Sequence, residues 1–157
     1  MKILVIDDKA EERENAKAAV EAAGHEAVVF EGITDGYFAP KFWKMMEEVD
    51  GVITDLFFNP YYNSNGEVND AYKINPPPTG LVVAANAISL GKPVAICTSG
   101  NHHGSELSFI YDAYVGMMWT GAWSVNKEVY DRNAAFAWEE DKDWAMAVKL
   151  IETRLAR

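Results

Sequence analysis

Cysteine is almost absent from this 157-residue chain: Cys97 is the only one, so no internal disulfide can form. Its apolar surroundings predict a small buried thiol. Cations are scarce as well. Lysine and arginine number 14 against 24 aspartates and glutamates, a formal net charge of -10. No basic cluster offers the phosphate contacts that a nucleic-acid binder needs, so no nucleic-acid partner is expected. The acidity reads as a solvated, self-repelling surface. Long apolar runs are missing too, and none approaches the roughly 18 residues of a membrane span. The N-terminal run Ile3-Leu4-Val5-Ile6 meets two aspartates at once, too soon for the core of an export signal. A cytoplasmic location without membrane contact is the expectation.

What is present suits a single domain over residues 1–157, with 49% hydrophobic and 24% charged residues. Lys2–Ile6 is a short apolar run with β-branched residues, a buried strand. Asp8-Lys9-Ala10-Glu11 has capping-box spacing, and Ala16, Ala19, Val20 and Ala23 recur at helical spacing before Gly24. Glu26–Phe30 predicts a second strand. Phe42, Met45, Met46 and Val49 then mark a helix with Pro40 in its first turn. Gly51–Thr54 is a third strand ending at Asp55. Residues 57–78 read as loop, with Asn65-Gly66 and three prolines at 76–78. Connections usually take about 2–6 residues, so this stretch is an insertion.

Thr79 is placed to cap the next helix, whose apolar positions Leu81, Val82, Ala85 and Ile88 lead to Gly91. Pro93–Cys97 predicts a fourth strand. A polar loop, Gly100 to Gly104, precedes a short helix from Ser105 through Leu107, Ile110 and Tyr114. Ala122–Val125 is the expected fifth strand. Trp144, Val148, Ile151 and Leu155 mark a final helix. Strands alternating with helices imply a parallel sheet covered on both faces. Function in such sheets gathers at the carboxyl ends of the strands.

That rule selects Asp7 and Asp8 after strand one, Asp55 after strand three, Thr98 and Ser99 after strand four, and Lys127 after strand five. Close carboxylates raise one another's pKa unless a cation neutralises them. A hard, oxygen-seeking ion such as Mg2+ fits such a cluster. A lysine and a hydroxyl can then serve a transferred phosphoryl group, whose chemistry needs mainly positioning and charge neutralisation.

On Lys2-Ile3-Leu4-Val5-Ile6-Asp7-Asp8, Gly51-Val52-Ile53-Thr54-Asp55-Leu56 and Pro93-Val94-Ala95-Ile96-Cys97-Thr98, the chain resembles the response-regulator receiver family of two-component signalling. The resemblance covers residues 1–56 and 79–98 best. It implies a flavodoxin-like α/β fold, a doubly wound five-stranded parallel sheet in three layers. It further implies that Asp55 is the phosphoacceptor and that Mg2+ is held by Asp7, Asp8, Asp55 and the backbone carbonyl of Phe57. Thr98 and Lys127 would contact the phosphoryl group. The partners implied are a histidine kinase or phosphotransfer protein and a downstream protein target. Any chemistry would be confined to phosphorylation and dephosphorylation of Asp55 itself. Because the chain ends with its last helix, a stand-alone module is expected.

Several residues depart from the family pattern. Pro60 lies five rather than four residues after the acceptor, and the insertion follows it. Glu128 stands where proline usually follows the lysine, and Ser124 stands where an aromatic is usual, with Trp123 adjacent. Gly100-Asn101-His102-His103-Gly104 lengthens the loop after Thr98. Adjacent side chains in an extended loop point apart, which disfavours one ion shared by His102 and His103. Ser99, His102 and His103 are expected in the pocket loop instead, and if that loop folds over Asp55, either histidine can donate to a phosphoryl oxygen.

Tyr61, Tyr62, Tyr72 and the later tryptophans admit two readings: cover for the core, or a homodimer or partner surface. A phosphohydrolase using an aspartyl nucleophile would need a second aspartate two residues after Asp7, where Lys9 stands. A nucleotide-binding module would want a glycine-rich turn there. The alternative that persists is a pseudo-receiver, the same fold used for protein interaction without phosphorylation.

Overall fold

Ile3, Leu4, Val5 and Ile6 are all buried, yet they serve two different cores, and this alternation sets the architecture. The computed structural model describes residues 1–30, 40–58, 78–98, 134–138 and 142–155. Within them run β1 (Lys2–Ile6), α1 (Ala10–Ala22), β2 (Glu26–Phe30), α2 (Pro40–Glu48), β3 (Gly51–Thr54), α3 (Thr79–Ser89), β4 (Val94–Thr98), β5 (Ala134–Trp138) and α4 (Trp144–Leu155). The strands form one sheet in the order β2-β1-β3-β4-β5, and every neighbouring pair is parallel.

Successive strand residues point to opposite faces. Leu4, Ile6, Val52, Val94 and Ile96 pack with Phe42 and Met46 of α2 and Val83, Ala84 and Ala87 of α3. Ile3, Val5, Ile53, Ala95 and Cys97 pack with Ala16 and Val20 of α1 and Trp144, Ala147, Val148 and Ile151 of α4. The sheet is therefore covered on both faces, which is why its strands read as unbroken apolar runs. As expected, Cys97 is fully buried.

Several local expectations are corrected. Asp8 does not cap α1: the cap position is Lys9, with no side-chain bond. The Asp8 carboxylate belongs instead to an acidic cluster. Thr79 does not cap α3 either, because the cap position is Pro78. Its hydroxyl donates to the Phe58 carbonyl at 2.9 Å, tying the helix start to the chain that leaves β3. The strand beside β4 is Ala134–Trp138, whereas the expected Ala122–Val125 lies outside the described residues. On α4, Trp144, Val148 and Ile151 are buried, but Leu155 is exposed. Gly24 and Gly91 do end their helices, each with a positive φ (80° and 71°) that favours glycine.

Gly80 is where α3 touches the end of β3. Its N–H donates to the Leu56 carbonyl at 3.0 Å. A Cβ here would fall onto the Asp55 carbonyl oxygen and lie 2.9 Å from both the Asp55 carbonyl carbon and Leu56 Cα. Elsewhere in a helix, alanine for glycine stabilises by about 1 kcal/mol. At this position the sign reverses: Gly80→Ala is expected to destabilise the protein by about 1–3 kcal/mol through overpacking. A urea midpoint at or above the parent's would contradict the close approach.

Candidate functional site

The pairing of Ile6 with Thr54 carries Asp7 and Asp55 side by side off the ends of adjacent strands. The Asp55 N–H donates to the Ile6 carbonyl at 2.9 Å, extending the ladder by one bond. In the order β2-β1-β3 the chain leaves β1 toward one edge of the sheet and returns on its other side. Crevices at such reversals are where open α/β sheets bind ligands.

Both carboxylates are deep, with side chains 0% exposed at Asp7 and 8% at Asp55. Asp8 is half-buried, and one oxygen from each of Asp7, Asp8 and Asp55 lies within 4.8 Å of the others. The turn after β1 is braced from beneath. The Lys9 N–H donates to Asp7 Oδ1 at 2.9 Å, and Arg13 Nη1 donates to the carbonyls of Asp7 and Asp8 at 3.0 Å each. Across the pocket the Leu56 N–H holds Asp55 Oδ1 at 2.7 Å.

The counter-charge is Lys142. Its Nζ lies 2.9 Å from Asp55 Oδ2 and also pairs with Asp7 Oδ2, while its side chain is only 2% exposed. It sits just before α4, which Asp143 caps: Oδ1 accepts the Met146 N–H at 2.8 Å.

Burial pushes the Asp7 carboxyl up to about 6 from 3.8, although Lys142 pulls the other way. Asp55 is likewise raised by burial, again against Lys142. Burial opposes the charge on Lys142, but the Asp55 and Asp7 carboxylates raise its pKa overall. Burial also pushes the Cys97 thiol up to about 12, so it is not a nucleophile at neutral pH. Thr98 ends β4 with 2% exposure. Phe57 lies half-buried in the turn after β3 and packs on the α2–α3 core.

The structure thus brings together Asp7, Asp8 and Asp55. Ser99, His102, His103 and Lys127 lie outside the described residues. The residue missed in the sequence is Lys142. The signal for it was present: Ala134–Trp138 is an apolar run, and Lys142 follows it directly before a capped helix. Three clustered carboxylates facing one ammonium offer only hard oxygen donors, the chemistry that suits a divalent cation.

No protein-family profile matches the chain, and no curated protein is significantly similar to it in sequence. Solved structures do match its fold. A response-regulator receiver protein from Sinorhizobium medicae is 16% identical with a TM-score of 0.58, covering 99% of this chain and 94% of its own. A receiver-domain protein from Clostridium thermocellum is 19% identical with a TM-score of 0.56 and the same coverage. A CMP N-glycosidase from Clostridium botulinum is 11% identical with a TM-score of 0.50, and each chain is fully covered. These likenesses establish the α/β fold of receiver domains. A fold shared with an N-glycosidase leaves function to the site. Among the described residues, no helix is long and apolar enough to cross a membrane.

The raised carboxyl of Asp7 fixes the sign of a pH dependence. Between its ordinary 3.8 and about 6, the folded protein keeps a proton that the unfolded chain has released. Its stability contribution is complete below about pH 4 and is lost as pH rises through about 6. In chelator, the stability of the parent relative to Asp7→Asn is expected to fall from about pH 4 to about pH 7. Urea unfolding at each pH measures it, and a rise over that interval would contradict the buried acid.

Proposed function

We propose that the chain is a phosphoacceptor module of the receiver type. The observation that carries this reading is the meeting of Asp7, Asp8 and Asp55 with Lys142 at the carboxyl end of the sheet. Asp55 is the acceptor. An oxygen of its carboxylate attacks the phosphorus of a phospho-donor, the bond from phosphorus to the donor breaks, and the leaving group takes the electron pair. Asp55 becomes a mixed anhydride; water later attacks the phosphorus, the bond to the Asp55 oxygen breaks, and the carboxylate and inorganic phosphate are released. Lys142, rather than Lys127, supplies the cation that pairs with the phosphoryl oxygens. The Thr98 hydroxyl, at the end of the neighbouring strand, serves as the second contact.

Asp7, Asp8 and Asp55, with the Phe57 backbone carbonyl, are the residues that would hold Mg2+. That ion, when bound, neutralises the carboxylates and the charge of the incoming group. The donor is a histidine kinase or phosphotransfer protein, and the output is a contact with a downstream protein. Homodimerisation is one such output. The module turns over no external substrate beyond the phosphoryl group, works in the cytoplasm and binds no nucleic acid.

One observation favours a second reading. Lys142 already pairs with both Asp7 and Asp55, so the two deepest carboxylates have a counter-charge from the chain itself. A pseudo-receiver that only binds proteins would look the same.

Beryllofluoride, a phosphoryl mimic, separates the two when added with magnesium while tryptophan fluorescence is followed. A saturable change that disappears in Asp55→Asn is the expected result. No response at millimolar magnesium would leave the pseudo-receiver reading.

A further inference from the structure

Lys142 is placed by more than its ion pairs. Its Nζ lies 5.4 Å from the centroid of the Trp144 ring, within the range of a cation–π contact. The indole is itself fixed. Trp144 is 4% exposed, and its Nε1–H donates to Glu12 Oε2 at 2.9 Å. Glu12 lies in the first turn of α1, four residues after Asp8. One bond therefore joins the two helix starts that flank the pocket, across 132 residues of sequence. A buried indole N–H needs an acceptor, and a carboxylate is a stronger one than a neutral oxygen. Lysine, a point charge on a flexible four-carbon stem, has much rotamer freedom to lose. A fixed aromatic face removes part of that freedom before any ligand arrives.

We infer that Glu12 and Trp144 are positioning residues for Lys142. The Glu12 carboxylate sets the plane of the indole, and the indole face holds the ammonium between Asp7 and Asp55. Neither residue needs to touch a reacting atom. The consequence for phosphoryl transfer rests on the phosphoacceptor reading, whereas the placement of Lys142 does not.

Competitive labelling with acetic anhydride reads that placement directly. Peptide mass spectrometry compares Lys142 with Lys44, whose side chain is 75% exposed, and with Lys92, which donates to the Glu47 and Val49 carbonyls. Glu12→Ala is expected to raise the relative labelling of Lys142 about fivefold, the scale of one partly desolvated cation–π contact. Glu12→Gln keeps an acceptor oxygen and should stay within about twofold of the parent. Trp144→Phe keeps a ring but loses the N–H, so adding Glu12→Ala to it should change nothing more. Lys92 should not move in any variant.

Parental labelling of Lys142 in Glu12→Ala would overturn the inference. So would equal effects of Ala and Gln, or a parallel rise at Lys92, which signals general loosening. Acetyl phosphate with magnesium provides the second arm, read as phosphoryl incorporation at Asp55. Glu12→Ala should slow it and Glu12→Gln restore it. If the parent takes up no phosphoryl group, the phosphoacceptor reading fails, and the labelling ratios still decide the positioning role. Normal uptake in every variant with unchanged labelling removes the positioning role alone.

Discussion

The ion pairs of Lys142 with Asp7 and Asp55 are the constraint around which the upper end of the sheet is built. Burying a carboxylate is costly, and removing the partner of a buried pair typically costs about 3–5 kcal/mol. Two such carboxylates on neighbouring strands repel each other as well. The structure answers with one ammonium reaching both, and with backbone N–H groups of Lys9 and Leu56 on the remaining oxygens. The satisfied pocket is tight enough that α3 approaches it through Gly80, the one residue type without a Cβ to collide with the Asp55 carbonyl.

Neutralisation by lysine and neutralisation by a divalent cation are different solutions to the same electrostatic problem. The ammonium is part of the finished chain and needs no supply from solution, but it reaches only Asp7 and Asp55 among the three acids. A cation would act on the whole group, Asp8 included. The two together suit a site that must accept further negative charge. Lysine alone suits a site that is finished as it stands. This distinction lies in the chemistry of the pocket rather than in the fold, since solved structures of the same architecture include both a receiver protein and a nucleotide N-glycosidase.

Four of the strands were legible because parallel strands buried on both faces appear as short β-branched runs, and Lys2–Ile6 and Gly51–Thr54 are of that kind. Asp7 and Asp55 were legible because acids directly after such runs fall at the sheet's carboxyl end. The strand beside β4 was less plain, because Ala-Ala-Phe-Ala-Trp has no β-branched residue and its three alanines dilute the strand preference of Phe136 and Trp138. The cation was hidden with it, because Lys142 follows Ala134–Trp138 in the chain. The caps failed for another reason. Asp8 and Thr79 have suitable side chains for helix starts, but α1 starts one residue later, with Lys9 at the cap position and Asp8 in the acidic cluster, and the Thr79 hydroxyl is spent on the Phe58 carbonyl.

Asp7 and Lys142 are separated by 135 positions, and this spacing orders events as the chain is made. A polypeptide emerging from its N-terminus holds both aspartates long before the lysine exists. Until then a proton or a cation from solvent must screen them, or β1 and β3 meet against their own repulsion. The ion pairs at the sheet's upper end therefore form only after the last helix has been made. Whatever screens the two aspartates in that interval bears on how the protein is made, before the finished pocket exists.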